Sequence, residues 1–237
     1  VEGANVVATA LDAGADFEAV YLAPAAEAAC GALVASLLDA GVPTHPLAPG
    51  VMERIAGTVT PQPVLAVARR TARHDPAELR GADLVVVGVD VRDPGNAGTL
   101  IRSAEAAGAG GVIFCRGSVD VTNPKTVRAS AGALFCVPVL EGGHPEEVLA
   151  VLGDLGLRRI GAAPRGGGAP ARTDLVAPVA LVLGNEAWGL PSAVQAALDE
   201  TVTIPMPGRA ESINLAMAAS VLLYETRRQR SAGGAGS

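Results

Sequence analysis

Along the chain, short continuous apolar runs alternate with longer stretches whose apolar residues recur at helical spacing. Runs at 84–89, 111–115, 135–140, 157–162, 179–183 and 201–204 have strand length and little polar alternation. That is the pattern of strands covered on both faces. Between and after them, 99–107, 145–153 and 213–224 show helical spacing, with Leu100, Ile101, Ala104 and Ala107 forming one stripe. Strand–helix repetition from 84 onward predicts an α/β fold with a mainly parallel sheet. Earlier in the chain, 5–13 and 25–40 read as helices, 19–22 and 64–67 as strands, and 43–49 as a turn-rich connection. This is a second, smaller α/β unit. Strand signal is lost over 68–81 (ARRTARHDPAELRG). The expected division is therefore a unit over 1–70, a linker over 71–82, a larger unit over 83–230, and a disordered Gly/Ser/Ala tail over 231–237.

The polar residues collect where apolar runs end. The run 179–183 stops at Gly184-Asn185-Glu186, and the carboxyl ends of strands in open α/β sheets are where ligands sit. The run 201–204 is closed by Pro205-Met206-Pro207-Gly208, and Ser212 stands at an N-cap position before the apolar stretch 213–224. The run 84–89 ends in a polar turn, DVRDPGNAG, with Asn96 near the start of the next helix. Arg102 falls off that helix's apolar stripe, on the face of Thr99 and Glu105. From spacing alone, Asn96 suits a turn or cap as well as a site, and Arg102 suits a surface ion pair to Glu105 equally well.

Composition narrows the classes. Hydrophobic residues make up 49% and charged residues 18%, which excludes a disordered chain. Net charge of −6 and a pI near 5.1 argue against a chain-wide basic footprint for nucleic acid, although a local patch can override the total. The positive charge is almost all arginine, with Lys125 the only lysine. Arg69, Arg70 and Arg73, and again Arg227, Arg228 and Arg230, form clusters that suit a solvated linker and a helix C-terminus. Cys30, Cys115 and Cys136 lack metal-ligand spacing and are expected to be reduced thiols of a cytoplasmic protein. No apolar run has membrane-spanning length free of Gly, Pro or charge, and no signal peptide is visible. Because the chain starts at Val1, residues are expected to precede it. His45, His74 and His144 all fall in loops or linkers, so no Ser-His-Asp set is credible, and there is no Walker A motif. Gly166-x-Gly168-x-x-Ala171 formally fits a dinucleotide fingerprint. Pro170 and the lack of a long following helix argue for a flexible loop instead.

Three stretches, taken in order, resemble the SpoU (TrmH-like) branch of the SPOUT RNA 2′-O-methyltransferases: DVRDPGNAGTLIRSAEAAGAGGVIF (90–114), LVLGNEAWGL (181–190) and IPMPGRAESINLAMAASVLLYE (204–225). NPKTVRASAGALFCVPV (123–139) is similar to family sequence as well, and the first seventy residues resemble a ribosomal-protein-L30e-like substrate-binding domain. The resemblance implies a deep trefoil knot in the C-terminal part, a homodimer formed through that part, and S-adenosylmethionine as the cofactor. Leu183, Gly184, Asn185, Ile204, Met206 and Ile213 take cofactor-lining positions, with the strand end at Ala162 and Ala163 a further candidate. Arg102 corresponds to the family's catalytic arginine; Asn96, Glu186, Ser212 and Asn214 complete the catalytic pocket; Lys125 and Arg128 are candidate contacts to substrate phosphates. No metal and no membrane are implied. Ala187-Trp188 departs from the family's glycine after the glutamate, and Ile213 replaces a leucine. Trp188 suits either stacking on a base or packing at the knot edge, the latter favoured.

The implied activity is methyl transfer to a ribose 2′-OH, of ribosomal RNA in preference to transfer RNA. The rivals are a non-catalytic RNA-binding or ribosome-assembly factor of the same fold and, from 166–171 alone, a nucleotide-dependent oxidoreductase.

Overall fold

The computed structural model describes residues 1–57, 60–70 and 73–234. The strands are β1 (Phe17–Leu22), β2 (Thr44–Pro46), β3 (Val64–Ala68), β4 (Leu84–Gly88), β5 (Gly111–Phe114), β6 (Val139–Glu141), β7 (Arg158–Ala162), β8 (Val179–Leu183) and β9 (Glu200–Val202). The helices are α1 (Ala4–Asp12), α2 (Ala26–Asp39), α3 (Met52–Ile55), α4 (Pro94–Ala106), α5 (Pro124–Ser130), α6 (Pro145–Asp154), α7 (Ser192–Ala196) and α8 (Leu215–Gly234). The first three strands form a small sheet in the order β2-β1-β3, and the other six form a second sheet in the order β6-β5-β4-β8-β7-β9. Every ladder of the large sheet is parallel.

The apolar runs are explained by burial on two faces. In β4, Leu84 and Val86 pack with Leu100, Ile101 and Ala104 of α4 and with Leu222 and Leu223 of α8. Their neighbours Val85 and Val87 pack on the opposite face with Leu149 and Leu152 of α6 and Val194 of α7. A strand with a helix layer on each side has no solvent face on which polar residues would be cheap, so its sequence reads as unbroken Val/Leu.

The small unit departs from expectation in two places, one of them the short helix α3, for which no element was expected. The stretch 43–49 was expected as a connection, yet Thr44–Pro46 pairs in parallel with β1. His45, expected in a loop, therefore stands on a strand with its ring 5.6 Å from that of Tyr21. Three residues are too few for a periodicity signal, and the flanking prolines hid it.

Four further boundaries move, each for a local reason. Helix α4 starts at Pro94, five residues ahead of 99, because Asp93 caps it: its Oδ1 accepts from the Asn96 amide at 2.8 Å. Pro94 at the first helical position has no amide to leave unsatisfied. The run 135–140 becomes strand only at Val139, since 133–135 form a 3-10 turn and Phe135 packs into the core of the small unit. Its apolar character reflects contact between the two units, not the sheet. Helix α8 begins at Leu215 and runs through Gly234, so the first four residues of the expected disordered tail are helical; 235–237 lie outside the described residues. The linker is not a solvated strand of charge. Arg70 pairs with Glu141 and donates to the Val139 carbonyl at 3.2 Å, while Glu141 N donates to the Arg73 carbonyl at 3.0 Å, holding the chain along the edge strand β6. At the other arginine cluster, Arg230 donates to the Asp83 carbonyl at 2.8 Å, and Arg228 pairs with Glu225.

The glycine stretch 166–168 also acquires a role. Gly168 N donates to the Thr201 carbonyl at 2.9 Å and Thr203 N to the Gly168 carbonyl at 2.8 Å, so the end of β9 runs between β7 and this loop. A Cβ on Gly167 would lie 2.6 Å from the Thr201 carbonyl oxygen. Glycine is what lets two backbones approach so closely. Only a three-residue 3-10 turn, Pro170–Arg172, follows, so no helix N-terminus faces the loop and the dinucleotide reading has no physical support.

The edge strand β9 is pinned by charge. Arg159 of β7 donates to Asp199 through its main-chain amide (2.7 Å), Nε (2.8 Å) and Nη2 (2.6 Å). These contacts hold the Asp199 carboxyl down at about 2. A depressed carboxyl stabilises the fold above its unfolded pKa, and that contribution is lost as pH falls through the folded value. Asp199→Asn should lower the urea midpoint near neutral pH, and the gap to wild type should close between about pH 4 and about pH 2. A gap that stays constant across that window would show that the ion pair does not carry the effect.

Candidate active site

Two strand ends and one helix start meet at the carboxyl edge of the large sheet. Strand β8 ends at Gly184, and the chain turns at once: Asn185 N donates to the Gly189 carbonyl at 3.1 Å and Gly189 N donates back at 2.9 Å. A Cβ on Gly184 would sit 2.3 Å from the Gly189 carbonyl carbon, so this turn closes only over glycine. Asn185 Oδ1 accepts from Ala187 N at 2.8 Å, and its Nδ2 donates to the Asp90 carbonyl at 2.8 Å. Asp90, at φ 55, lies in the left-handed region that Asp tolerates better than most residues. The turns after β4 and β8 are thereby tied together by a side chain that is only 6% exposed.

Asn96 makes the second tie. Its Nδ2 donates to Glu186 Oε1 at 2.8 Å, and its Oδ1 accepts from Asn214 Nδ2 at 2.9 Å. Residues from all three recognised stretches therefore form one hydrogen-bonded row, Glu186–Asn96–Asn214. Asn214 does a second job. Its Oδ1 accepts from Ala216 N at 2.9 Å and from Met217 N at 3.3 Å, which makes it the side-chain cap of α8. The expected cap, Ser212, is two residues too early and makes no such bond; it lies on the wall of a cavity instead.

That cavity, of about 660 Å³, lies beneath the row. The expected cofactor residues Ala162, Leu183, Gly184 and Asn185 line one side of it, and Ile204, Met206 and Ile213 line the other. Ala163, Glu186 and Ser212 also face it, whereas Asn96 and Asn214 brace its rim from outside. The Asn185 side chain is spent on Asp90 and Ala187.

Arg102 is not brought to the row. It lies on the exposed face of α4, about 9 Å along the helix axis from Asn96 at 1.5 Å per residue. The surface pair to Glu105 that would have explained it is not formed, and no hydrogen bond or ion pair engages it among the described residues. Lys125 Nζ lies 3.2 Å from Asp93 Oδ2, a pair 59% and 47% exposed at its two side chains. Such a pair contributes about 0–1 kcal/mol and opens easily for a competing anion. The Asn96 amide, with help from Lys125, also holds the Asp93 carboxyl below its ordinary range. Arg128 is exposed, with its guanidinium next to Gly57 of the small unit. Among the described residues no group of three His, Cys, Asp or Glu is placed to hold a metal, and no helix is long and apolar enough to cross a membrane.

One participant was not anticipated from sequence, and a second departs from its favoured reading. Asp90, the anchor of Asn185, gave no signal beyond its place in a polar turn. Trp188 was expected to pack, but it is 59% exposed at the cavity mouth, with the Arg92 guanidinium 5.1 Å above its ring. A contact of this kind contributes about 0.5–1 kcal/mol at an exposed position. Cys115, by contrast, is buried and its thiol is pushed up to about 12, which makes it inert.

The profile of the SpoU rRNA Methylase family matches residues 83–224, and that of the RNA 2′-O ribose methyltransferase substrate binding domain matches residues 1–72. The chain belongs to the SpoU rRNA methylase family. Among its relatives is the 23S rRNA (guanosine(2553)-2′-O)-methyltransferase RlmP of Bacillus subtilis, 33% identical over 195 residues that cover 82% of this chain and 76% of that protein. The SpoU methyltransferase AviRb of Streptomyces viridochromogenes superimposes with a TM-score of 0.86 at 31% identity, covering 98% of this chain and 90% of that one. An AdoMet-bound rRNA methyltransferase from Sinorhizobium meliloti gives 0.82 at 30% identity, covering 97% and 86%.

The cap assignment separates the two residues at the start of α8. Asn214→Ala should cost about 0.5–2 kcal/mol of unfolding free energy, measured by urea titration, while Ser212→Ala should leave stability within about 0.5 kcal/mol of wild type. The reverse order would return the cap to Ser212.

Proposed function

We propose that the chain is an S-adenosylmethionine-dependent methyltransferase acting on a ribose 2′-OH of RNA, with ribosomal RNA as the substrate class. The observation that carries this is Asn96, bonded at once to Glu186 and Asn214 on the rim of a cavity of cofactor size. The cavity's volume falls within the roughly 300–1,000 Å³ usual for small-molecule sites. Its walls suit the group: Leu183, Ile204 and Ile213 offer apolar surface, and the Gly184 turn and Ala162 strand end offer main chain. When bound, S-adenosylmethionine supplies an electrophilic methyl group carried on a sulfonium.

The chain's own task is then positioning. A ribose hydroxyl is a poor nucleophile and must lose its proton as it attacks, with the reacting atoms in line. The Glu186–Asn96–Asn214 row fixes the rim, and Ser212 adds a hydroxyl beside it. Among the described residues, Arg102 has no partner that a substrate would have to displace. A guanidinium cannot act as a base, since its pKa lies above about 12; its fork suits a phosphate and a developing alkoxide. Arg102 is assigned to activating the 2′-OH and holding the adjacent phosphate, with Lys125 and Arg128 as further phosphate contacts.

The small unit, read as L30e-like, serves as an RNA-binding module, and the protein works in the cytoplasm. The path of 201–204 between β7 and the loop 166–168 supports a trefoil knot in the C-terminal part. A homodimer is supported by α8. Ala216, Ala219, Leu222 and Leu223 are buried in the chain's own core while Met217, Val221 and Tyr224 form an exposed row. An apolar row on one helix is the signature of a face that another chain covers.

Methyl transfer from labelled S-adenosylmethionine to ribosomal RNA tests the reading. Arg102→Ala should lose about a hundredfold or more in rate while binding S-adenosylmethionine normally by calorimetry. Wild-type rates in that variant would remove Arg102 from the site, and an inactive wild-type protein that still binds RNA would favour the non-catalytic alternative.

A further inference from the structure

Trp188 is the only tryptophan in a chain with 3% aromatic residues, and the fold leaves it 59% exposed. A large aromatic side chain is normally among the first to be buried. Trp188 sits within a turn closed by the Asn185–Gly189 hydrogen bonds and by Asn185 Oδ1, which accepts from Ala187 N. The turn holds the indole out as a rigid plate at the cavity mouth, beside Glu186. One face of the ring carries Arg92, whose Nε is anchored 2.8 Å from Asp90 Oδ1. Asp90 is itself tied to the turn through Asn185. No aromatic ring covers the indole among the described residues.

We propose that Trp188 and Arg92 form a stacking platform for an unpaired nucleobase of the RNA substrate, next to the ribose that receives the methyl group. This inference rests on the RNA methyltransferase reading. The chemistry matches: bases freed from a helix are held by stacking on aromatic side chains and arginine planes, and the guanidinium beside the ring adds charge for the neighbouring phosphate. A pre-ordered plate loses little freedom on binding, so most of the stacking energy appears as affinity. The competing occupant of the ring is the adenine of the cofactor, since Trp188 borders the same cavity.

Because the tryptophan is unique, its fluorescence reports on this ring alone. The full-length protein, saturated with S-adenosylhomocysteine, would be titrated with a short single-stranded oligoribonucleotide and with the same oligonucleotide made abasic. The base-bearing strand should quench the emission and the abasic strand should not. Trp188→Ala should raise the KM for RNA about tenfold and leave the KM for S-adenosylmethionine unchanged, while Trp188→Phe should restore most of the loss; thermal melts would check that both variants fold. Equal quenching by both strands, quenching complete with S-adenosylhomocysteine alone, or an unchanged KM in Trp188→Ala would overturn the platform. A wild-type protein that fails to methylate RNA would count against the activity and not against the stacking, which the fluorescence reads without turnover.

Discussion

Asn96 is the point on which the site depends. Its side-chain amide carries a donor NH2 and an acceptor oxygen, and the fold uses each for a different segment: Glu186 from the turn after β8 and Asn214 from the start of α8. These residues are 90 and 118 positions away in sequence, so neither is placed by local structure. The parallel sheet brings the ends of β4 and β8 side by side, and Asp93 fixes the first turn of α4 so that the Asn96 side chain faces both partners. A hydrophobic residue there would leave Glu186 and Asn214 without each other. An aspartate would set a second carboxylate against Glu186.

The rest of the architecture serves that geometry by close backbone approach. Gly184 allows the β8 turn to fold back on Gly189, and Gly167 allows the loop 166–168 to lie against the end of β9. The first belongs to the turn that lines one side of the cavity, and the second directs the chain from β9 toward Ile204 and Met206 on the other. Asn185 then joins the two strand ends through its Nδ2 and closes its own turn through its Oδ1, which explains why a polar side chain at 6% exposure is stable there. A site assembled from three turns needs such fasteners, since no single element carries it.

Much of this was legible in the chain because the physics involved is local or strongly patterned. Strands buried on both faces announce themselves as unbroken apolar runs, and 84–89 and 179–183 were placed nearly to the residue. The convergence of the three polar turns followed from the motif order, and the residues expected to line a cofactor cavity do line one cavity. What the sequence hid was long-range. The cap of α8 moved from Ser212 to Asn214, because both types cap well and only the helix's true first turn decides between them. Phe135 read as strand because contact with the small unit demands the same apolar chemistry as a sheet. Trp188 read as a packing residue because a ring's exposure depends on which way its turn is fastened. The placement of Arg102 away from the row, without a partner among the described residues, was outside the reach of any spacing argument.

On the proposed reading, the Asn96 bridge orders the rim where the methyl group is transferred. Single-turnover methyl transfer with Asn96→Asp, at saturating S-adenosylmethionine, tests it most directly. The change keeps the shape and the acceptor for Asn214 but removes the donor for Glu186. The account predicts a rate lower by about tenfold to a hundredfold with cofactor affinity and melting temperature close to wild type. A variant that transfers at the wild-type rate would contradict it.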